Sequence, residues 1–194
     1  TDQMNYPGML DYYQKAYDSW KKLRNPIFKN SAILNIANAY SSMGDTDNAV
    51  KYYSTALEQA KQEGDDDTAA ACLSNLGTIY VNEGDYPKAL QAVKEIERIS
   101  PEDLDINEYT ILSKAYYLQH KIDSARYYFN LASELAEDVR DEAQLVYLSL
   151  QIETAAGNFK NAAASIDEYI RLSDSISRMI VSQSATVAEG KFYK

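Results

Sequence analysis

A nine-residue segment that recurs 40 residues later constrains the fold of this chain more than any other feature. Residues 37–45 (ANAYSSMGD) return as residues 77–85 (GTIYVNEGD), with tyrosine fourth and Gly-Asp at the end of both copies. A period of roughly 20–50 residues indicates an array of one repeated structural unit. An alanine follows each of these two Gly-Asp pairs at the same offset, and alanines in the same frame extend the register along the chain, as Ala16, Ala49, Ala89, Ala125 and Ala162.

Other side chains follow each of these alanines at fixed offsets, and they predict one helix in every unit. Four residues later come Trp20, Tyr53, Val93, Phe129 and Ile166. Seven residues later come Leu23, Ala56, Ile96, Ala132 and Tyr169. Offsets of 0, 4 and 7 share one face of an α-helix, so each unit should hold an amphipathic helix that begins just after the Gly-Asp position.

A second apolar stripe precedes the Gly-Asp position and predicts another helix, the first of its unit. In three successive units the stripe is Ile33, Ile36, Ala37 and Tyr40, then Leu73, Leu76, Gly77 and Tyr80, then Tyr109, Leu112, Ser113 and Tyr116. Gly44, Gly84 and Gly157 fall where the chain must leave one helix and start the next. Helices should therefore alternate with short turns from about Met9 to at least Ile180, in one domain without β-strands.

These units resemble the tetratricopeptide repeat family. The pattern is carried by Leu76-Gly77, Tyr80, Gly84-Asp85-Tyr86, Ala89 and Ile96. The unit from Ile36 to Leu57 matches it as well, whereas the third unit has His120-Lys121 in place of Gly-Asp. The fourth unit departs further, because Leu150 and Glu153 stand where the family has a small residue and a tyrosine.

The resemblance implies an all-α fold, a right-handed α-solenoid of antiparallel helix pairs with about four repeats. Residues 1–27 would form an N-terminal half repeat that keeps only its second helix, around Ala16 and Trp20. Residues 28–174 would form the repeats, and residues 175–194 a C-terminal capping or connecting helix, all within one domain.

Composition argues against several classes of function. The 19 Lys and Arg against 29 Asp and Glu give a net charge of −10, which repels nucleic-acid phosphates and anionic lipid. No apolar run reaches the roughly 18 residues of a membrane-inserting helix. The single cysteine and single histidine exclude an internal disulfide and a Cys/His zinc site within one copy. The glycines lie too far apart for a nucleotide-binding loop or a G-x-S-x-G motif.

The residues that could carry chemistry have simpler structural interpretations. His120 falls in a predicted turn, where a solvated side chain is expected, and Cys72 lies on an apolar helix stripe with no histidine to activate it. The run Asp65–Asp67 suits a helix N-terminus better than calcium, because the alternating ligand loop is missing. We therefore predict no catalytic residue, no metal and no cofactor, and hence no enzyme in this chain.

The resemblance places the first helices along a concave groove that binds a protein or peptide. By that criterion the groove residues are Asn35, Asn38, Ser42, Asn75, Thr78, Asn82, Thr110, Lys114, Tyr117, Tyr147 and Gln151. Neutral hydrogen-bonding groups dominate this set, and amides can donate to and accept from a peptide backbone. The alternative is a polar face that only contacts solvent.

One subfamily of the resemblance, the chaperone cofactors, clamps a peptide's C-terminal carboxylate with two asparagines and three cations. Asn38 and Asn75 match the asparagines, but the cationic positions hold Leu34, Asn107 and Ile111. Without those charges, an acidic peptide end would be repelled by the negative chain. The expected ligand is a neutral or basic peptide, a sister domain, or a helix of the same protein.

The predicted function is a non-catalytic protein-binding scaffold, the ligand-engaging region of a larger regulatory or sensor protein. Alternatives are a regulator that changes superhelical shape when an oligopeptide binds, an accessory domain of an enzyme outside this chain, and self-association through the C-terminal helix. The stretch Asp167–Ile176 resembles the last repeat of bacterial membrane-anchored sensors. We accordingly expect an extracytoplasmic region of such a protein rather than a cytoplasmic one.

Overall fold

The computed structural model describes residues 6–20, 26–101 and 104–192, a part of the chain that contains helices and turns but no β-strand. Its helices are α1 (Tyr6–Trp20), α2 (Pro26–Ser42), α3 (Thr46–Glu63), α4 (Asp66–Glu83), α5 (Tyr86–Ile99), α6 (Ile106–Leu118), α7 (Ile122–Glu134), α8 (Val139–Ala155) and α9 (Phe159–Phe192). Helices α2 and α3, α4 and α5, α6 and α7, and α8 and α9 pack as pairs, and α1 packs against α2. The all-α class predicted from the repeat is confirmed.

The Gly-Asp pairs end one helix and begin the next. Gly44 and Gly84 have φ angles of 75° and 81°, a left-handed conformation that glycine adopts without a steric cost. The following Asp45 and Asp85 accept a hydrogen bond from the backbone N–H three residues later, at 3.2 and 3.3 Å. Asp65 caps α4 in the same way at 3.2 Å. The aspartate run at α4 is thus a capping element, as predicted.

The third pair makes its turn without this chemistry. His120 adopts a φ of 58°, the only positive φ outside glycine among the described residues. Lys121 occupies the N-cap position of α7 and makes no side-chain capping hydrogen bond. His120 is exposed in this turn, as the sequence predicted. Where the third unit departs from the Gly-Asp pattern, His120 therefore takes the left-handed conformation, which is unfavourable for a residue with a β-carbon.

His120→Gly is expected to raise the free energy of unfolding by about 0.5–1 kcal/mol. The substitution removes the steric strain that a β-carbon causes in the left-handed conformation. Part of this gain in stability is lost, because glycine gives the unfolded chain more conformational entropy. Urea denaturation followed by circular dichroism measures the change. Gly44→His is the matched control, because nothing lies within 4 Å of an added Cβ there and only the backbone conformation opposes it. Gly44→His should lower the free energy of unfolding. A His120→Gly variant that is less stable than the wild type, or a Gly44→His variant that is more stable, contradicts this explanation.

The chain divides into two compact units, Thr1–Leu104 and Asp105–Lys194. In the first unit the core lies between α2, α3 and α4 and consists of Ile33, Ala37, Ala49, Tyr53, Ala56, Cys72, Leu76 and Ile79. Burial raises the pKa of the Cys72 thiol to about 12, with Asp65 contributing. Such a thiol stays protonated and is a packing residue, as the sequence predicted.

In the second unit, α7 and α8 pack around Ala125, Leu148 and Ile152. The Ser113 hydroxyl of α6 donates to the carbonyl of Ala125 at 2.8 Å, which joins α6 to α7 in the core. The alanines that define the repeat are all buried here, since Ala125 and Ala162 are 0% and 5% exposed. Small side chains at these positions let the paired helices approach closely, as predicted.

Helix α9 is 34 residues long and runs through residue 175, the predicted start of the C-terminal capping or connecting helix. At about 1.5 Å per residue it is twice as long as its 17-residue partner α8. Within the described ranges, no helix is both long and apolar enough to cross a membrane. Leu23 and the side chains of Ala16 and Trp20 lie outside the described residues, and the predicted domain boundaries stay predictions.

Candidate peptide-binding faces

The predicted groove residues of the first unit lie on two neighbouring helices, α2 and α4, which contact each other. Along each helix they are spaced by three and then four residues, which places them on one face. They are Asn35, Asn38 and Ser42 on α2, and Asn75, Thr78 and Asn82 on α4. Core residues Leu73 and Leu76 occupy the opposite side of α4, so the polar triplet points away from the core.

Internal hydrogen bonds orient Asn38 and Asn75 differently. The Tyr53 hydroxyl donates to Oδ1 of Asn38 at 2.6 Å, which leaves the amide nitrogen of Asn38 as a donor. Asn75 donates from Nδ2 to the Ala71 carbonyl at 2.8 Å, which leaves its Oδ1 as an acceptor. A peptide bond offers one acceptor and one donor. The first unit can therefore present complementary groups to a peptide backbone from adjacent helices.

The outer part of this face is more exposed. Ser42, Thr78 and Asn82 are solvent-exposed, whereas Asn35 is half-buried. The Thr78 hydroxyl bonds the Ser74 carbonyl of its own helix at 3.2 Å. A ligand can therefore reach this outer part of the face, while the Tyr53 bond holds Asn38 in place.

In the second unit, the predicted residues lie on α6 and α8, which also contact each other. Thr110, Lys114 and Tyr117 follow one face of α6, and Tyr147 and Gln151 one face of α8. The buried Thr110 hydroxyl has no hydrogen-bond partner within the described part of the chain. Burial lowers the pKa of the Lys114 ammonium.

The two tyrosines of this second face serve different purposes. Tyr117 packs against the Ala125, Leu148 and Ile152 cluster, so part of its ring belongs to the core. Tyr147 is 48% exposed, and its ring lies 5.6 Å from that of Tyr169, tilted by 43°. Tyr147 is thus the side chain of this face with apolar surface available to a ligand. A groove continuous through both units stays a prediction.

Two of the three positions that hold cations in the chaperone cofactors are occupied by packing residues in this structure. Leu34 packs against the core of the first unit, and Ile111 is buried in α6. Asn107 is exposed but neutral. These faces therefore have no ring of cations for a terminal carboxylate, consistent with the expectation of a neutral or basic ligand.

The hydroxyl of Tyr53 is the functional group that sequence reasoning missed. The repeat pattern identified Tyr53 as a bulky residue on the apolar face of α3, and its ring is indeed buried. Its hydroxyl reaches Asn38 on α2 across 15 positions of sequence, a contact for which no local signal exists. Elsewhere in the described ranges, no group of three or more His, Cys, Asp or Glu side chains could hold a metal ion.

Comparison with known proteins shows which proteins this chain is similar to. A tetratricopeptide repeat model matches residues 30–102. Response regulator aspartate phosphatase A of Bacillus subtilis (strain 168) is 26% identical over 163 residues, which cover 79% of this chain and 43% of that protein. The chain thus spans less than half the length of this curated relative.

Solved structures share the fold at low sequence identity. A Rap protein complexed with competence and sporulation factor has a TM-score of 0.66 at 19% identity, covering 91% of this chain and 50% of that one. A thermophilic tetratricopeptide repeat protein of Thermus thermophilus has a TM-score of 0.60 at 16% identity, covering 94% of this chain and 91% of that one. The repeat model over residues 30–102 and these solved structures show that the chain has an all-α, tetratricopeptide-repeat-like fold.

Proposed function

We propose that this chain is a non-catalytic scaffold that binds an extended peptide, and that it is the ligand-engaging region of a larger bacterial regulatory protein. The observation that carries the proposal is the pair of matched polar triplets on the contacting helices α2 and α4. Asn38 offers a donor and Asn75 an acceptor, each oriented by an internal hydrogen bond. Similarity to response regulator aspartate phosphatase A supports a regulatory context.

The chemistry of the faces favours certain peptides. Asparagine side chains recognise the backbone, so they fix the position and direction of a peptide without selecting its sequence. The net charge of −10 and the neutral residues at the clamp positions favour a neutral or basic ligand. Tyr147 adds an exposed aromatic surface on which an apolar side chain can pack.

The test begins with a ligand selected on the protein itself. A phage-displayed library of random peptides is selected on the wild-type chain, and calorimetry measures the affinity of the best peptide. Asn38→Ala/Asn75→Ala should weaken binding about tenfold or more, because two hydrogen bonds of about 0.5–1.5 kcal/mol each are lost. Gln62→Ala/Asn130→Ala is the matched control, since it removes two exposed amides from α3 and α7. Equal affinity for both double variants contradicts the proposal.

Ligand-dependent change of shape is a second candidate, supported by the likeness to the Rap protein complexed with competence and sporulation factor. In this case the selected peptide slows hydrogen exchange in several helix pairs at once, including pairs that it does not touch. Protection confined to the contacted helices supports a rigid scaffold instead.

The proposed placement is extracytoplasmic, supported by the resemblance of Asp167–Ile176 to membrane-anchored sensors. Self-association through α9 is the other open proposal, because Ile170, Ile180 and Val181 are 55%, 49% and 69% exposed on this helix. Sedimentation at several concentrations tests it, and a monomer throughout the range contradicts it.

A further inference from the structure

A cavity of about 350 Å³ lies in the first unit on the side of α4 opposite the polar triplet. Leu73, Leu76 and Tyr80 of α4 line it, whereas Asn75 and Thr78 belong to the proposed peptide-binding face. At about 100° per residue, these two sets point to opposite sides of the helix. The cavity is therefore separate from the proposed peptide-binding face, and no repeat pattern indicated it.

The cavity lies between α3, α4 and α5, and its lining is part apolar and part polar. Leu57 of α3 and Ala92 of α5 complete the apolar lining, and Lys61 and Lys88 contribute one ammonium group from each of these helices. Ligand pockets measure about 300–1,000 Å³, so this cavity can hold roughly one large side chain. Ser54, Gln91 and the Glu95 carboxylate also line it, so its chemistry combines apolar surface, two ammonium groups and one carboxylate.

The ammonium group of Lys61 can pair with a ligand while its present partner, Glu95, keeps another cation beside it. Its ammonium group lies 2.8 Å from Glu95, which also accepts hydrogen bonds from Arg98 at 3.0 and 3.1 Å. Hydrogen bonds from Arg98 and Lys61 lower the pKa of Glu95 to about 2. Glu95 therefore stays paired with Arg98 when Lys61 turns toward the cavity.

The ammonium group of Lys88 can also turn toward a ligand while its partner, Asp85, keeps a hydrogen bond. It pairs with Asp85 at 2.6 Å and lies 5.3 Å from the centre of the Tyr80 ring, which lines the cavity. Asp85 accepts a second hydrogen bond from the Lys88 backbone N–H, and this bond is retained when the ammonium group moves. The side chains of Lys61 and Lys88 are 42% and 60% exposed, so an entering anion can reach both.

We propose that this cavity binds a small amphipathic carboxylate, an apolar body the size of one large side chain that carries a single carboxylate. The apolar body occupies the space between Leu57, Leu73 and Leu76, and the carboxylate is held by Lys61 and Lys88. A free organic acid and the last residue of a peptide both present this chemistry. Because the site is on the opposite side of α4, it can be occupied together with the proposed peptide-binding face.

Three probes test the chemistry by two-dimensional amide NMR titration of the full chain. They are 3-phenylpropanoate, the peptide acetyl-Ala-Ala-Phe with a free carboxylate, and the same peptide with a terminal amide. Both carboxylates should shift the resonances of Leu57, Leu73 and Ala92, and the amide should bind at least tenfold more weakly. Tighter binding of the free acid or of the peptide identifies the source of the ligand. Equal binding of the amide, or no binding of either acid, overturns the proposal.

Variants assign the binding to this cavity. Lys61→Gln/Lys88→Gln should reduce the affinity of both carboxylates about tenfold, whereas the exposed pair Lys51→Gln/Lys94→Gln on the same helices should not. Ala92→Met should block the interior and abolish binding; if circular dichroism shows that it does not fold, the lysine variants decide. Asn38→Ala/Asn75→Ala should bind the carboxylates unchanged, so this test is independent of the proposed peptide-binding function. If both double lysine variants lose carboxylate affinity equally, the carboxylates do not bind in this cavity.

Discussion

Tyr53→Ala is expected to lower the free energy of unfolding by about 3–5 kcal/mol, the largest effect of any single substitution considered for this chain. Tyr53 is 1% exposed and lies in the core shared by α2, α3 and α4. Removing its ring leaves a cavity between helices of two successive pairs, and removing its hydroxyl leaves Asn38 without its partner. Both losses occur in the part of the fold that holds the proposed peptide-binding face.

Urea denaturation of three variants separates these contributions. Tyr53→Phe retains the ring and loses only the hydrogen bond, so it should cost about 1 kcal/mol. Burial raises the pKa of Tyr53 to about 12, so its hydroxyl keeps the proton that it donates to Asn38. Tyr12→Ala is the control, because Tyr12 is 69% exposed on α1 and should be near neutral. A Tyr53→Ala variant as stable as Tyr12→Ala would rule out this packing.

Tyr53→Phe also links stability to binding. With the hydroxyl gone, Asn38 loses the bond that holds its amide nitrogen toward the ligand, although its side chain is intact. The affinity for a selected peptide should then fall by part of the loss seen in Asn38→Ala. An unchanged affinity would show that the orientation of Asn38 does not depend on Tyr53.

The repeat pattern predicted the local features of the fold well, because their causes lie within a few residues. Ala49, Ala89 and Ala125 are all fully buried, and the Gly-Asp turn at residues 84–85 has the predicted helix end and start. A left-handed glycine and a capping aspartate depend on neighbours along the chain. Such features can be predicted from sequence spacing alone.

The repeat pattern did not predict burial correctly where burial depends on a neighbouring element in space. Ile166 and Tyr169 fall on the predicted apolar face of α9, yet they are 44% and 37% exposed. An amphipathic stripe identifies the side of a helix that can be buried, but it does not supply the element that covers it. Helix α9 continues past residue 175, and neither glycine nor proline interrupts residues 159–189.

The candidate site shows the same limit. The family resemblance placed Asn38 and Asn75 on the first helices of two units, and in the structure they lie on α2 and α4, which contact each other. Which amide atom each side chain presents depends on Tyr53 for one and on the Ala71 carbonyl for the other. The sequence therefore predicted the residue types of the face, but not the direction of its hydrogen bonds.

Glu153 departs from the family pattern, and the structure supplies the reason. Where the family has a tyrosine, the Glu153 carboxylate on α8 receives two hydrogen bonds from Arg126 on α7, at 2.9 and 3.0 Å. It also accepts from Asn158 at 2.8 Å and from Asn161 at 3.4 Å, at the start of α9. One side chain that is 12% exposed thereby connects three helices of the second unit.

Glu153→Gln should lower the free energy of unfolding by about 1.5–3 kcal/mol at neutral pH, because it replaces a charged acceptor by a neutral amide. Burial alone would raise the pKa of Glu153, but hydrogen bonds from Asn158 and Arg126 outweigh it, so the pKa is lowered in the folded state. A lowered pKa contributes stability that is present above the unfolded value of about 4.3 and is lost as pH falls through the folded value. The cost of the substitution should therefore shrink as the wild-type carboxylate becomes protonated.

Urea denaturation at neutral pH and at about pH 3 measures this difference, since an ordinary glutamate is largely protonated at the lower pH. Glu142→Gln is the control, because Glu142 is exposed in the first turn of the same helix, α8. The control should change stability little at either pH. If Glu153→Gln costs the same at both pH values, the charge of Glu153 does not hold these helices together.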